Sequence, residues 1–302
     1  MRVAIVDMGT NTFSLLIVEI KDSGYKIMHH AKEAVKLGEG GITKNVIAPA
    51  AFNRGVKAMQ HLHAIILKEK AQTIKAIATS AVREASNKDE FIAEIKKLTG
   101  IDIDVVNGDE EAELIYYGNR MAVDMAIETC LIMDIGGGSN EFIIANNTAL
   151  FWKQSFKLGV ARLLEMFNPE DPIQDGTLQS IIAYLQTHLK PLLTEIKKHP
   201  VKRLIGSASV FESILQMIGK EDMLEGKTCY EIDIHDYLAI SHKTIHSTLQ
   251  QRIAMPGLIP MRREMIVLSF ILIDFILDTT HVKNISLSAY SLKEGAITLF
   301  MK

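Results

Sequence analysis

Two stretches of the sequence place an aspartate at the end of an apolar run and a glycine-containing turn directly after it. They read VAIVDMGTNT and LIMDIGGGSN. Glycine lets the backbone approach a ligand closely, so that successive N–H groups can face an anion. A carboxylate at the strand end can hold a divalent cation that in turn binds phosphate. Asp7 and Asp134 are therefore candidate metal ligands, and the turns 9–12 and 136–139 are candidate phosphate sites.

The two stretches also match each other on both sides of the turn. When Asp7 is placed on Asp134, the apolar residues before each aspartate coincide, and Leu15, Leu16 and Ile17 fall on Phe142, Ile143 and Ile144. An ordinary β-hairpin whose turn begins with Asp would explain either stretch alone. The paired match favours a structural duplication. We predict two domains that meet near residue 124, at 1–124 and 125–290, with the C-terminal helix 291–302 returning to the first.

Length and composition fit two soluble domains. The chain has 302 residues, more than a typical single domain of roughly 100–200. Its apolar fraction of 48% and charged fraction of 23% are ordinary for a globular protein. The net charge of −3 and the absence of a basic segment argue against a broad nucleic-acid surface. An anionic ligand would need a local basic site.

Cysteine content and hydropathy predict a cytoplasmic protein with no membrane partner. The two cysteines, Cys130 and Cys229, show no C-x-x-C spacing and suit a reducing compartment. The first residues enter a strand pattern without the features of a signal peptide. The longest apolar run, 265–277, is interrupted by Asp274 and is shorter than the roughly 20 residues that span a bilayer. It is expected to form a buried helix.

Short β-rich runs alternate with longer helical patterns through most of the chain. This alternation predicts α/β domains with mixed sheets. A helix beginning at Pro49 places Phe52, Val56 and Met59 near one face. The predicted helices span residues 49–70, 88–98, 109–120, 175–193, 208–218, 234–247 and 258–278, with a short closing helix near the C-terminus.

Two further segments carry charged residues where a strand gives way to a helix. SAVREA places Arg83 just after a strand, where a guanidinium can grip phosphate oxygens bidentately. NGDEEAELIYYG places several acids at a helix N-terminus, which the helix dipole favours. Simple capping by Asp109 explains them equally well. The residues alone do not choose between Glu110 and Glu111 as a general base.

Together these segments resemble the exopolyphosphatase and guanosine pentaphosphate phosphohydrolase family (Ppx/GppA), within the superfamily of acetate kinase, sugar kinases, chaperones and actin. The matching segments are DMGTNTFSLL, ATSAVREASN, NGDEEAELIYYG and DIGGGSNEF, in that order. Sugar kinases and chaperones lack the second and third of these. The resemblance covers most of the chain and implies two duplicated actin-like (ribonuclease H-like) α/β domains, with mixed sheets flanking a cleft.

The resemblance also implies roles for individual residues. Glu111 matches the family's base, which activates the attacking water, and Arg83 and Glu141 join it as catalytic candidates. Asp7, Asp134 and Glu141 match the family's metal site. The expected metal is Mg²⁺, with Mn²⁺ as an alternative, and a monovalent cation could bind in addition. The expected phosphate-binding residues are Gly9, Thr10, Asn11, Thr12, Arg83, Gly136, Gly137, Gly138, Ser139 and Gly206.

Several positions depart from the family pattern. The later glycine turn reads GSASV, which keeps Gly206 but has Ser209 in place of a second glycine. The family's R-E-G segment appears here as Lys293-Glu294-Gly295, so that lysine replaces arginine. Ser269 replaces a customary glycine, and Lys36 stands where arginine is usual. These changes bear on nucleotide binding and substrate choice more than on attack by water.

The expected function is Mg²⁺-dependent hydrolysis of a terminal phosphoanhydride. The substrate would be inorganic polyphosphate or guanosine pentaphosphate, and the sequence does not choose between them. A non-hydrolysing sensor that binds a phosphorylated alarmone or polyphosphate is the alternative, and a small-molecule kinase is a third reading. The oligomeric state is open, with a homodimer as one option.

Overall fold

A computed structural model describes residues 1–22, 24–207, 209–220 and 226–301. Within these residues the first sheet has the strand order β3-β2-β1-β4-β5. Its members are β1 (Arg2–Met8), β2 (Thr12–Lys21), β3 (Gly24–Ala34), β4 (Thr73–Ala78) and β5 (Ile103–Val105). The hairpin strands β1, β2 and β3 are antiparallel, whereas β4 and β5 run parallel to β1.

The second sheet repeats this plan in the order β8-β7-β6-β9-β11 and adds β10 at its edge. Its members are β6 (Cys130–Ile135), β7 (Asn140–Ala145), β8 (Leu150–Phe156), β9 (Arg203–Ser207), β10 (Cys229–Ile232) and β11 (Asn284–Ser288). Strands β6 to β8 are antiparallel, and β9 and β11 are parallel to β6. The predicted fold class, two duplicated α/β units with mixed sheets beside a cleft, is confirmed.

Helices cover the sheets and connect their strands. They are α1 (Pro49–Lys68), α2 (Ser80–Arg83), α3 (Lys88–Thr99), α4 (Gly108–Ala122), α5 (Val160–Phe167), α6 (Asp175–His188), α7 (Lys190–Lys198), α8 (Ser209–Met217), α9 (Ile234–Ile245), α10 (Leu249–Ile253), α11 (Ile266–Thr280) and α12 (Leu292–Gly295). Short 3₁₀ turns occupy Pro260–Arg262 and Ala296–Phe300. Helix α11 is buried along nearly its whole length, and none of the described helices could cross a membrane.

Apolar side chains form a core in each unit and another between the two sheets. Helices α4 and α12 lie in the layer between the sheets, where α4 contacts β7 and β8 and α12 contacts β1 and β2. The two helices touch through glycine: a Cβ on Gly295 would lie 1.8 Å from the Leu114 carbonyl oxygen, and one on Gly118 would lie 2.0 Å from that of Ser291. Because α4 packs on the second sheet and α12 packs on the first, the boundary near residue 124 stays a prediction.

Some predicted element bounds are wrong for local reasons. The helix expected over 258–278 begins only at Ile266, because Gly257 has a φ of +74° and Pro260 starts a 3₁₀ turn instead. The helix expected over 175–193 is divided at Leu189 into α6 and α7. The structure also contains helices α2, α5 and α10 and strands β8 and β10, which the sequence patterns do not predict.

Candidate active site between the two sheets

A cavity of about 390 Å³ opens where β1 and β6 end. It is lined by both glycine turns and by residues of α4, α8 and α11. Most of the predicted site residues line it together: Asp7, Gly9, Thr10, Asn11, Thr12, Glu111, Asp134, Gly136, Gly137, Gly138, Ser139 and Glu141. Residues from distant parts of the sequence thus share one chamber, as the duplication requires.

The two turns have the same internal hydrogen bond and fit against each other. The Gly9 N–H donates to the Thr12 carbonyl, and the Gly136 N–H donates to the Ser139 carbonyl, each at 3.0 Å. A Cβ on Gly137 would lie 2.7 Å from the Asn11 side-chain amide. The glycines of the second turn therefore leave the space that side chains of the first turn fill.

The N-terminus of α4 distinguishes Glu111 from its neighbour. Asn107, not Asp109, is the cap: its side chain accepts hydrogen bonds from the N–H groups of Asp109 and Glu110. The Glu110 carboxylate returns to the Asn107 N–H at 2.8 Å and completes a capping box. Glu110 is thus exposed and engaged with the helix end, whereas Glu111 is only 6% exposed and lines the cavity.

Glu111 is buried beside a cation. Arg83 Nη1 donates to Glu111 Oε2 at 2.7 Å and to the Val106 carbonyl at 3.0 Å. Burial raises the pKa of Glu111 to about 7, while Arg83 opposes this shift and Asp134 adds to it. A carboxyl with a pKa near neutrality can both take and release a proton at physiological pH. The position suits a general base.

Glu141 lies opposite Asp134 in the β6–β7 pair and is 2% exposed. The Ser155 hydroxyl on β8 donates to Glu141 Oε1 at 2.6 Å. Burial raises the pKa of Glu141 well above its usual range, and the charges of Glu111 and Asp134 add to this. The second hairpin therefore supplies a buried acid whose ionisation the neighbouring carboxylates disfavour.

The two strand-end aspartates are held differently. Burial raises the pKa of Asp7 to about 7, the Lys293 ammonium lowers it, and nearby acids raise it. Burial also raises the pKa of Asp134, but hydrogen bonds from Ser291 and Ser207 counteract that effect. The Ser291 hydroxyl lies 2.5 Å from Asp134 Oδ2.

These acids bear on the predicted metal site. Among the residues that the structure describes, no group of three or more His, Cys, Asp or Glu side chains is arranged to hold a metal ion unaided. Asp7, Asp134 and Glu141 are thus not a preformed three-carboxylate site. The donors still suit Mg²⁺, which keeps several waters and uses one or two carboxylates together with substrate phosphate oxygens. The neighbouring carboxylates raise the pKa values of Asp7 and Glu141, and a bound cation would relieve this repulsion.

Two predicted phosphate-binding residues lie outside the cavity lining. Arg83 is paired with Glu111 and Glu84 beside it. Gly206 packs under Phe211, where a Cβ would lie 2.0 Å from the ring, so close packing rather than a ligand accounts for this glycine. The Ser209 side chain lies outside the described part of the chain. Ser269 lines the cavity, and Lys36 lies 3.6 Å from Glu264.

Sequence reasoning missed two serines that contact the candidate acids. Ser155 lies on a strand that was not predicted, and no motif marks it. Ser291 does carry a signal, since Ser291-Leu292-Lys293-Glu294 has the S-x-x-E spacing of a capping box. The structure has that box, with the Glu294 carboxylate accepting the Ser291 N–H at 2.9 Å.

Comparisons with known proteins agree with this geometry. A family model described as "Ppx/GppA phosphatase family" matches residues 16–302. The guanosine-5'-triphosphate,3'-diphosphate pyrophosphatase of Pseudoalteromonas translucida (strain TAC 125) is 25% identical over 294 residues, which is 97% of this chain. That match covers 58% of the relative, so the chain spans a little over half of its length.

Two solved structures are similar over their full lengths. The crystal structure of an exopolyphosphatase from Cytophaga hutchinsonii ATCC 33406 is 36% identical, with a TM-score of 0.96, and the match covers 100% of this chain and 99% of that one. The Aquifex aeolicus PPX-GPPA enzyme is 19% identical, with a TM-score of 0.81, 99% of each chain being covered. The second likeness concerns the fold.

Proposed function

The chain belongs to the Ppx/GppA phosphatase family, and we propose that it hydrolyses the terminal phosphoanhydride of inorganic polyphosphate, guanosine pentaphosphate or both, with Mg²⁺. The observation that carries this proposal is the buried Glu111, which faces the same cavity as the two glycine turns. A phosphate-binding cleft alone would fit a sensor or a kinase. A buried carboxylate with a pKa of about 7 beside it supports activation of water.

The glycine turns would hold the terminal phosphoryl group. Backbone N–H groups of Gly137 and Gly138 and the side chains of Thr10 and Asn11 are the donors on the two sides of the cavity. Rigid donors of this kind position the phosphoryl group for in-line attack without reorganising. Asp7, Asp134 and Glu141 would hold Mg²⁺, which would neutralise phosphate charge.

Glu111 would take a proton from the attacking water. The water oxygen forms a bond to the terminal phosphorus, the bridging P–O bond breaks, and the shortened phosphate chain leaves as an anion. Arg83 is paired with Glu111 at 2.7 Å and would orient the base. It lies outside the cavity lining, so it would contact a phosphate oxygen only after its guanidinium moved into the cavity. The products are inorganic phosphate and a chain shorter by one phosphate.

Phosphate release tests the proposal directly. Purified protein with Mg²⁺ is given polyphosphate or guanosine pentaphosphate, and inorganic phosphate is measured for the wild type, Glu111→Gln and Glu110→Gln. Because general-base catalysis contributes about 10²–10⁴-fold, Glu111→Gln should lose about 10³-fold in kcat. Glu110→Gln is the matched control, since it removes the same charge one residue away and should stay within about threefold of the wild type.

The same assay separates the alternatives. Tight binding of either substrate without phosphate release, unchanged in Glu111→Gln, would overturn the hydrolase in favour of a sensor. Transfer of phosphate from ATP to an acceptor would indicate a kinase. Comparing the two substrates side by side gives the preference that the sequence leaves open.

A further inference from the structure

The segment after β11 reaches both strand-end aspartates of the cavity. Ser291 donates its hydroxyl to Asp134 at 2.5 Å, and Lys293 places its ammonium near enough to Asp7 to attract that carboxylate. Glu294 joins the two by accepting the Ser291 N–H with one oxygen and pairing with Lys293 through the other, at 2.9 Å in each case. One short turn therefore carries a positive charge to the point where both sheets present their acids.

Lys293 is buried to an extent that is unusual for lysine. Its side chain is 13% exposed and lines the cavity. Its partner Glu294 is 2% exposed and fixed by the capping box. An ammonium has three N–H donors, so the pair with Glu294 leaves capacity for other acceptors. Lysines are rarely this buried without a specific partner or ligand.

Because acids line the cavity, a buried ammonium at this position would strongly affect the binding of phosphate. A phosphate chain entering the cavity meets the acids Asp7, Asp134, Glu111 and Glu141, and each of them repels it when ionised. Lys32 also lines the cavity, but its side chain is 55% exposed and it is paired with Glu212 at 3.3 Å. Water and salt screen such a surface charge, whereas a buried ammonium acts at close range in a low dielectric.

We propose that Lys293 binds phosphate oxygens of the substrate where the phosphate chain passes Asp7 and Asp134, which makes it a substrate-binding residue of this chain. The inference rests on the proposed function only for the identity of the anion. Lysine in place of the family's arginine keeps the positive charge but replaces the planar guanidinium group by a compact ammonium.

Binding of tripolyphosphate in EDTA tests this without turnover. With divalent metal removed, the anion is held by the protein's own cations and N–H groups. Isothermal titration should show Lys293→Met binding at least tenfold more weakly than the wild type, and Lys293→Arg within about threefold. Lys32→Met is the matched control, since it removes one positive charge at the exposed rim and should change binding less than twofold.

A second variant separates ligand binding from charge neutralisation. Glu294→Gln releases the Lys293 ammonium from its partner, so it should bind tripolyphosphate more tightly than the wild type. It also gives the answer if Lys293→Met does not fold, as judged by circular dichroism. Unchanged binding in both variants, or no binding by the wild type in EDTA, would overturn the proposal. Neither result bears on hydrolysis, which is measured separately by phosphate release.

Discussion

The hairpins β1–β2 and β6–β7 have the same strand register but carry different side chains at corresponding positions. Asp7 pairs with Ser14 in the first, and Asp134 pairs with Glu141 at the corresponding place in the second. Both partners line the cavity. The backbone plan is therefore shared, and at the position opposite the aspartate the two copies differ by one buried carboxylate.

In the turns of the two hairpins, it is the first copy that carries the additional polar side chains. The first turn carries side chains at Thr10 and Asn11, while the second has only hydrogen at Gly137 and Gly138. A Cβ on Gly138 would lie 2.7 Å from Thr10 Oγ1 and 2.6 Å from Ser80 Oγ. One copy supplies side-chain donors and the other supplies bare backbone, so the pair forms a site that two identical turns could not form.

Replacing the partner residues one at a time should have the largest effect on this comparison. Glu141→Gln keeps the shape of the side chain and an oxygen that can accept from Ser155, but it removes the charge next to Asp134. We expect a loss of about 10²-fold in kcat, because the variant removes one of the three acids that we propose to hold Mg²⁺. Ser14→Ala should stay within about threefold. Steady-state phosphate release measures both.

Comparable losses in the two variants would show that the hairpins contribute equally and that the asymmetry has no catalytic meaning. Thermal unfolding is the control for folding. Glu141→Gln should unfold at the wild-type temperature or above, because it removes repulsion from Glu111 and Asp134.

The duplicated hairpins and their acids could be predicted because local patterns encode them. Continuous apolar runs predict β1 and β6, and the D-x-G turn marks where each strand ends. What the patterns could not encode is which acid of α4 faces the cavity. Glu110 and Glu111 are adjacent, and only the capping box with Asn107, formed once the helix is in place, assigns them different surroundings.

The other site features that the sequence did not predict depend on contacts between residues far apart in the chain. Ser155 reaches Glu141 from a neighbouring strand, and Ser291 reaches Asp134 across the layer between the sheets. The glycine turn predicted at Gly206 indicated a phosphate site, but Gly206 lies within β9 and accommodates the Phe211 ring. Each of these depends on tertiary packing, which a local pattern does not carry.

A methyl group in the second turn should have an intermediate effect. Gly137→Ala puts a Cβ 2.7 Å from the Asn11 amide, so that side chain must move out of the cavity wall. We expect kcat/KM to fall about tenfold, since small misplacements of positioning groups cost this much. Gly176→Ala is the matched control, because nothing lies within 4 Å of its Cβ position.

The close fit between Gly137 and Asn11 also predicts that the effects of replacing these two residues are coupled. In an Asn11→Ala background the methyl group has room, so Gly137→Ala should cost less there than in the wild type. Equal costs in the two backgrounds would mean that the turns act independently and that the fit between them is incidental.

The smallest expected effect separates the two aspartates by their influence on folding. The pKa of Asp7 is about 7 in the folded protein, against 3.8 for an unperturbed aspartate. The folded state therefore keeps a proton that the unfolded state releases, and stability falls as the pH rises from about 4 to 7. A shift of this size corresponds to at most about 4 kcal/mol, and Asp7 is only partly buried where it lines the cavity. In EDTA, Asp7→Asn should therefore remove the penalty and exceed the wild type by roughly 1–2 kcal/mol at pH 8, but not at pH 4.

Asp134→Asn should give a smaller gain, because donors from Ser291 and Ser207 already stabilise the Asp134 carboxylate in the folded protein. Loss of the attraction between Asp7 and Lys293 reduces the gain from Asp7→Asn but does not reverse it, since burial is the larger influence on that carboxyl. Thermal unfolding at pH 4 and pH 8 without metal measures both. If Asp134→Asn gained as much as Asp7→Asn, the serine donors would have no energetic role, and the two copies would hold their aspartates alike.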